Sequence, residues 1–454
     1  MSLEIDAVSR IREKLAPARK LSRGKEWWSG SKFKLNPTVP ESEIVAFETL
    51  HNLRLPQDYR DFLLHLSNGG VGPPYGIYCF EESIRRYEEG TTKMWPGMPE
   101  CVAPENERTD FDWDPFLQGT LPIMTEGCGK SVHLVLKGEF KGRVVHLDEE
   151  MDGGPVFTWD AGFLSWFERW LDEMVAGWQS GGFQESMPGS PDRLWEIIQS
   201  PKVTPAELEA VLITIRRSPQ FETRFTHAIA AAFSHFSEEV RMAACHVVRR
   251  HRLKGLEKHT FQLLDDRNSR VVSEALSWMD DIPVYRWVSQ WQAKVRQLLF
   301  HGDNWVAYQA GSLLLKAKAL TRADLLPLID SHSPDRRCIG IGFWGKRGFS
   351  LTGEEWLGRR RSDENIEVRR AIILAAAKAK DYKFLPIMRE MAQQEGGEFD
   401  ELVANVRIKL LLPVWQTWPV WLAALLISFL VPPQIAPQIW GLALLISIAW
   451  RIWY

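Results

Sequence analysis

The rhythm of apolar and polar positions divides the chain into three stretches. In the first, "SEIVAFETLHN" and "LPQDYRDFLLHL" carry apolar residues at helical spacing and predict two consecutive helices. Pro56 fits a first helical turn, and Asp58 sits near the positive end of the dipole. Tyr59, Phe62, Leu63 and Leu66 make one apolar face, and Asn68-Gly69-Gly70 provides left-handed residues for a sharp exit. Four runs, "GIYCF", "LPIMTEG", "SVHLVLKG" and "GRVVHLD", predict short strands broken by glycine. The last two read as a hairpin. "TWDAGFLSWFERWLDEMVAGW" predicts a closing amphipathic helix with Phe163, Trp166, Phe167, Trp170 and Leu171 on its apolar side. The small, polar, Pro/Gly-rich stretch that follows, residues 179–192, reads as a linker.

The second stretch, 193–405, is helical throughout and weakly self-similar. "SEEVRMAACHVVRRH", "NSRVVSEALSWM", "DNWVAYQAGSLLLKA", "PDRRCIGIGFWGKRG" and "NIEVRRAIILAAAKA" each place a polar turn before an apolar helix. Aligning Val240, Val271, Val306, Cys338 and Val368 gives steps of 31, 35, 32 and 30 residues. A period near thirty marks stacked helix pairs and resembles short HEAT-like repeats. Such arrays are interaction surfaces more often than catalysts.

The third stretch is apolar. Residues 414–431 run 18 positions without a charge, and a second apolar run follows Pro432-Pro433. Trp415, Trp418 and Trp421 open the first run, while Trp450, Trp453 and Tyr454 close the second, as an aromatic belt would if the chain turns back. With Arg407, Lys409 and Arg451 on that side, residues 410–454 predict a two-helix transmembrane hairpin. Both termini and the folded domains would face the cytoplasm. The expected domains are thus 1–180, a linker at 181–192, a helical array at 193–405, and the hairpin.

Composition adds exclusions. Net charge is −3 in 454 residues, which gives no global reason to expect nucleic-acid binding. The five cysteines are scattered with no C-x-x-C pair, so neither a zinc knuckle nor a disulfide framework is indicated. The N-terminus lacks the apolar core of a signal peptide. His133 and His146 sit on the two arms of the predicted hairpin, but a third metal ligand at sensible spacing is missing. Cys128 in "EGCGK" has no neighbouring base to make its thiolate. "GGVGPP" lacks the Lys-Ser/Thr of a phosphate loop. No catalytic residue, cofactor or metal site is assigned, and the chain reads as a binding protein.

Charge is concentrated in the first domain. Residues 81–114 hold ten carboxylates against four bases, and residues 148–173 hold eight against one. An acidic face built from Glu81, Glu82, Glu105, Glu107, Asp110, Asp112, Asp114, Asp148, Glu149 and Glu150 is the candidate surface for a basic partner.

Taken in order, the motifs resemble the SUKH superfamily, the Smi/Knr-like group. They are Ile44, Phe47 and Glu48; Leu55-Pro56 with Tyr59 and Phe62; Asn68-Gly69-Gly70; Leu121-Pro122-Ile123; Gly127 and Gly129; Leu134-Val135-Leu136; Gly142 with Val144; Trp159; and Phe163, Phe167 and Trp170. The resemblance covers about residues 35–180. It implies an α+β domain with a curved antiparallel sheet that binds partners and does not catalyse; bacterial members mostly serve as immunity proteins against toxins. The whole chain is then expected to be an α+β domain, an all-α HEAT-like solenoid and a membrane hairpin. Its expected function is neutralisation of a toxin protein while tethered to a bacterial inner membrane, with a membrane-anchored scaffold for an endogenous partner as the alternative. An enzymatic reading through likeness to bilin-lyase-type repeats is weaker still, because the first domain has no part in that chemistry. The sequence fixes no oligomeric state.

Overall fold

The computed structural model describes residues 3–22, 32–73, 75–91, 119–148, 155–281 and 289–395. The chain divides into two compact units, Met1–Leu263 and Leu264–Tyr454.

The first unit opens with α1 (Leu3–Ser22), which the sequence reading did not anticipate because its charged face masks a thin apolar stripe. Val8, Ile11, Leu15 and Ala18 form that stripe and are buried. A two-residue strand β1 (Lys32–Phe33) pairs with β2 (Val71–Gly72), and between them lie the two expected helices, α2 (Glu41–Leu50) and α3 (Gln57–His65). α4 (Phe80–Thr91) precedes the sheet of β3 (Thr120–Gly127), β4 (Lys130–Val135), β5 (Val144–Asp148) and β6 (Val156–Phe157). These four strands are antiparallel and lie in chain order. α5 (Phe163–Ala176) closes the domain.

The expected hairpin is β4–β5, with Val132 opposite His146 and Leu134 opposite Val144. Its period of two sorts side chains between the faces of the sheet. Val132, Leu134 and Val144 join the main core with Tyr59, Phe62, Phe163, Phe167 and Trp170, while Val135, Val145 and Leu147 form a small cluster elsewhere with Phe140 and Phe157. Each of the large core side chains is removed from water almost completely, worth about 1.5–3 kcal/mol apiece.

Two expectations need correction here. "GIYCF" is not a strand: Asn68 Oδ1 accepts the Phe80 N–H at 2.6 Å and caps the chain into α4, leaving Ile77 to donate to the Val71 carbonyl at 3.2 Å and Tyr78 to the Ile123 carbonyl at 2.8 Å. The transmembrane hairpin at 410–454, and with it the inner-membrane location, does not stand. No helix among the described residues is long and apolar enough to cross a membrane, and 410–454 lies outside them. The longest described helix, α1, interrupts its apolar stripe with charges at every turn.

Five further helices complete the first unit: α6 (Pro191–Gln199), α7 (Pro205–Arg217), α8 (Thr226–Ala232), α9 (Glu238–His251) and α10 (Glu257–Gln262). The second unit is helical in its described part. It comprises α11 (Ser269–Asp281), α12 (Ser289–Leu298), α13 (Asn304–Lys316), α14 (Arg322–Ile329), α15 (Pro334–Lys346), α16 (Glu355–Arg360), α17 (Ile366–Ala379) and α18 (Leu385–Glu395). α11, α13, α15 and α17 pack side by side in that order, and α12, α14 and α16 each pack on the long helix that follows. Gly345 lets the backbones of α15 and α17 approach closely: a Cβ there would stand 2.4 Å from the Ala375 Cα of α17.

The self-similar segments begin at equivalent caps. Ser237, Asp303 and Asn365 accept N–H bonds from the first turns of α9, α13 and α17. Counting from the caps puts Arg336, not Cys338, in the position of Val240, Val306 and Val368, so the last two steps become 30 and 32. One residue further on, Arg241, Arg337 and Arg369 each turn back to two carbonyls of the preceding turn: His235 and Phe236, Ser331 and His332, Asp363 and Glu364. The arginine supplies donors for a turn whose carbonyls no helix ladder uses.

Candidate interaction surfaces

The first-domain motif residues are consumed by architecture. Arg60, buried on α3, bonds Glu48 at 2.6 Å, and the other Glu48 oxygen accepts the Leu55 N–H at 2.8 Å, which locks the turn between α2 and α3. Asn68 presents its amide to Glu81 at 3.1–3.2 Å while capping α4. Gly69 follows with φ +67°, and a methyl there would stand 2.1 Å from the Tyr78 carbonyl oxygen. The Asn-Gly-Gly exit is thus a brace: it lets the chain pass under residues 77–78 and fixes the start of α4.

This brace positions the only part of the predicted acidic face whose side chains are described. Glu81 and Glu82 lie in the first turn of α4. The N–H of its own residue pulls the Glu81 carboxyl below the usual range, with burial opposing and Asn68 assisting. Arg85, then Arg86, holds Glu82 low through bonds of 2.6–2.9 Å. Glu82 is therefore neutralised on its own helix, whereas among the described residues the side chains that bond Glu81 are Asn68 and Cys79. Asp148 ends β5 opposite Lys130. Glu105, Glu107, Asp110, Asp112, Asp114, Glu149 and Glu150 lie outside the described residues.

A cleft of about 570 Å³ opens where α1, α3 and α5 converge, lined by Arg10, Gln57, Asp58, Lys141, Gly162 and Glu168 among others. Asp58 forms its floor, accepting from the Tyr59 N–H at 2.8 Å and the Leu164 N–H at 3.2 Å, so one carboxylate serves the starts of two helices. Burial pushes Asp58 up, and the N–H groups of Leu164 and Tyr59 pull against it. Across the rim Glu168 binds Arg10 at 2.9 Å and Lys14 at 2.7 Å, which leaves little free charge to recruit a ligand.

The histidines do not converge. His146 faces the main core near Trp166 and bonds Glu126 at 3.1 Å, while His133 shares the other face with Val145, held by Thr120 at 2.9 Å and Ser131 at 3.0 Å. Burial, then the nearby His146, lowers His133 to about 3. Among the described residues no group of three or more His, Cys, Asp or Glu is placed to hold a metal. Cys128 is exposed at the β3–β4 turn with φ +49°, between two left-handed glycines.

Sequence reasoning missed a buried ionic cluster. Asp160 receives Arg169 in a two-pronged bond of 2.6 and 2.8 Å, and Glu173 bridges Arg169 at 3.1 Å and Arg217 at 2.5 Å. Ser186 accepts from both arginines at 3.1 and 2.7 Å, and the Phe183 ring lies 3.9 Å beneath the Arg169 guanidinium. Burial opposes the charge on Arg169, and Asp160 then Glu173 outweigh it; at Arg217 burial prevails and lowers the group. The stretch read as a linker is the keystone of this cluster: Phe183, Ser186 and Met187 are buried, and Met187 N–H donates to Thr214 Oγ1 of α7 at 2.8 Å. Arg169 as the lone base in an apolar helix was the available signal.

An antiparallel sheet backed by helices, with its signature residues spent on turns and caps, defines an α+β domain. Residues 38–169 match the SMI1 / KNR4 family (SUKH-1). No curated protein matches the chain.

Proposed function

We propose that this chain is an immunity-type binding protein whose SUKH-1 domain holds and neutralises a toxin protein without catalysis. The observation that carries the reading is the family match over residues 38–169, on a domain whose motif residues serve architecture. The helical region, with its caps and arginine clasps at a period near thirty residues, supports a HEAT-like array as a second interaction module. The acidic face is the proposed contact for a basic toxin groove, and steering of that kind acts mainly on association rate. Reversing Glu105, Glu107, Asp110 and Asp112 to lysine should slow association about tenfold or more at low salt. The deciding experiment is co-expression with toxin-domain proteins encoded beside the gene, scored for survival and for co-purification. Survival that depends on residues 38–169 upholds the reading; a chain that binds none of them and rescues no cell refutes it.

A further inference from the structure

The second unit presents a surface that the SUKH reading does not use. On α13, α15 and α17 the solvent side recurs at the same four levels, offset by three, seven and eleven residues from the first. The first level is Trp305, Asp335 and Glu367; the last is Lys316, Lys346 and Lys378. Because the three helices pack side by side, these levels run across them as bands.

The middle levels are Tyr308, Cys338 and Arg370, then Ser312, Gly342 and Leu374; Arg370 is turned to Glu367 at 2.6 Å, and the rest is uncharged. Trp305 is 59% exposed and stacks on Tyr308 with ring centroids 5.6 Å apart. Leu374 on α17 is 45% exposed. Between them α15 offers Gly342, where an added Cβ would meet no atom within 4 Å. The result is a shallow trough with an aromatic wall on one side, an aliphatic wall on the other and a glycine floor. Exposed aromatics gathered beside a hollow are unusual for solvated helices and mark contact surfaces.

Charge gives the trough a direction. At one end Lys346 Nζ lies 3.0 Å from the Tyr308 hydroxyl and 4.7 Å from its ring centroid. Lys346 first, and Lys378 more weakly, lower the Tyr308 hydroxyl. Among the described residues neither lysine has a carboxylate partner, whereas Lys316 is held by Asp280 at 2.9 Å. At the other end stand Asp335, which accepts from the Asn304 amide at 3.0 Å and has no arginine or lysine bridge among the described residues, and Glu367, which is paired with Arg370 at 2.6 Å. A nucleic-acid strand would lay phosphates along the whole trough and meet those carboxylates. A short peptide need put its acidic residues only at the lysine end.

We propose that this trough is a docking site for an acidic peptide segment bearing an aromatic side chain. The aromatic ring lies over Gly342 between Tyr308 and Leu374, and adjacent carboxylates reach Lys346 and Lys378. The proposal is independent of toxin binding by the first domain.

The test uses the full chain and a fluorescein-labelled octapeptide alternating Asp with Phe or Trp, followed by anisotropy. Saturable binding is expected, weakened by about tenfold or more in both Trp305→Ala and the charge reversal K346E/K378E, which is a loss visible against any micromolar affinity. Gly342→Phe fills the trough without touching charge and should abolish binding while leaving the helical circular dichroism intact. A peptide with Ser for the aromatics and one with Lys for Asp should both fail. No saturation below roughly 1 mM peptide overturns the proposal. So does binding that survives Gly342→Phe in a folded protein, or tighter binding of an unstructured oligonucleotide than of the acidic peptide.

Discussion

Replacing Arg217 by methionine tests whether the first domain and the helices after it form one structural body. The substitution keeps most of the stem and removes the guanidinium. In the native cluster two arginines balance Asp160 and Glu173 in a side-chain environment between 0 and 9% exposed. Methionine at 217 leaves that set with one excess negative charge, removes the 2.5 Å bond to Glu173 and the 2.7 Å bond to Ser186, and strands the Gln179 carbonyl. Breaking a buried pair from one side costs about 3–5 kcal/mol. Arg169 still touches Glu173 at 3.1 Å, so the lower end, about 3 kcal/mol, is the expectation. For a unit of this size that corresponds to a fall of roughly 6–12 °C in Tm. Adding Glu173→Gln restores neutrality and should recover about half of the loss, a coupling that a double-mutant cycle reads directly. Hydrogen exchange supplies the sharper assay: both α5 and α7 should lose protection together, and residues 181–192 should become a protease site only in the variant. If exchange in α5 is untouched while α7 alone loosens, or the wild-type chain is cut first at 181–192, the cluster does not join the two and the reasoning fails.

Gly69→Ala should cost at least about 2 kcal/mol in chemical denaturation, since a left-handed residue gains a methyl against the Tyr78 carbonyl; an unchanged midpoint would remove the brace from the argument. Asp58→Ala removes the acceptor for two helix starts and should cost about 1–2 kcal/mol per start, checked by thermal unfolding. His133 gives a pH dependence of definite sign. Its folded pKa of about 3 lies below the ordinary 6.5, so in that window the unfolded chain holds the extra proton. The stabilisation is complete above pH 6.5 and is lost as pH falls towards 3, with a slope of up to about 1.4 kcal/mol per pH unit. His133→Gln should flatten urea midpoints between pH 4 and 7 relative to wild type. Arg337→Ala, which leaves Asp363 with Arg360 and the Asn365 N–H and strands two turn carbonyls, should destabilise the second unit by about 2–3 kcal/mol in the same measurement.

What was legible in the sequence was periodic. The helices at 41–50 and 57–65, the β4–β5 hairpin and the closing helix follow from patterns of two and 3.6, which report which side of an element meets the core. α4 was hidden because its cap, Asn68, lies twelve residues upstream, and no local window contains it. The linker composition misled for a related reason. Small and polar residues are what a free tether needs, but Ser186 and the Gln179 carbonyl are also what two buried guanidinium groups need. Only the arrangement in space separates the two. Cys338 was aligned two positions out because an apolar residue was sought where the cap, not hydrophobicity, sets the register. Acidic composition was legible, but composition does not make a face: Glu82 is already matched by Arg85 and Arg86, so a count of carboxylates overstates free charge.

The arginine that reaches back over the turn before α9, α15 and α17 acts as a ruler. Its guanidinium spans a fixed five and six residues, so an insertion between clasp and helix would pull both carbonyls out of reach. Length variation is therefore channelled to the opposite connection of each helix pair, and the longest step in the series, 35 residues from Asn268, which accepts the Arg270 N–H, to Asp303, ends at a helix whose clasp position holds Ala307. Anyone grafting, deleting or duplicating these segments should splice there, and should expect chimaeras joined within the clasped turns to misfold.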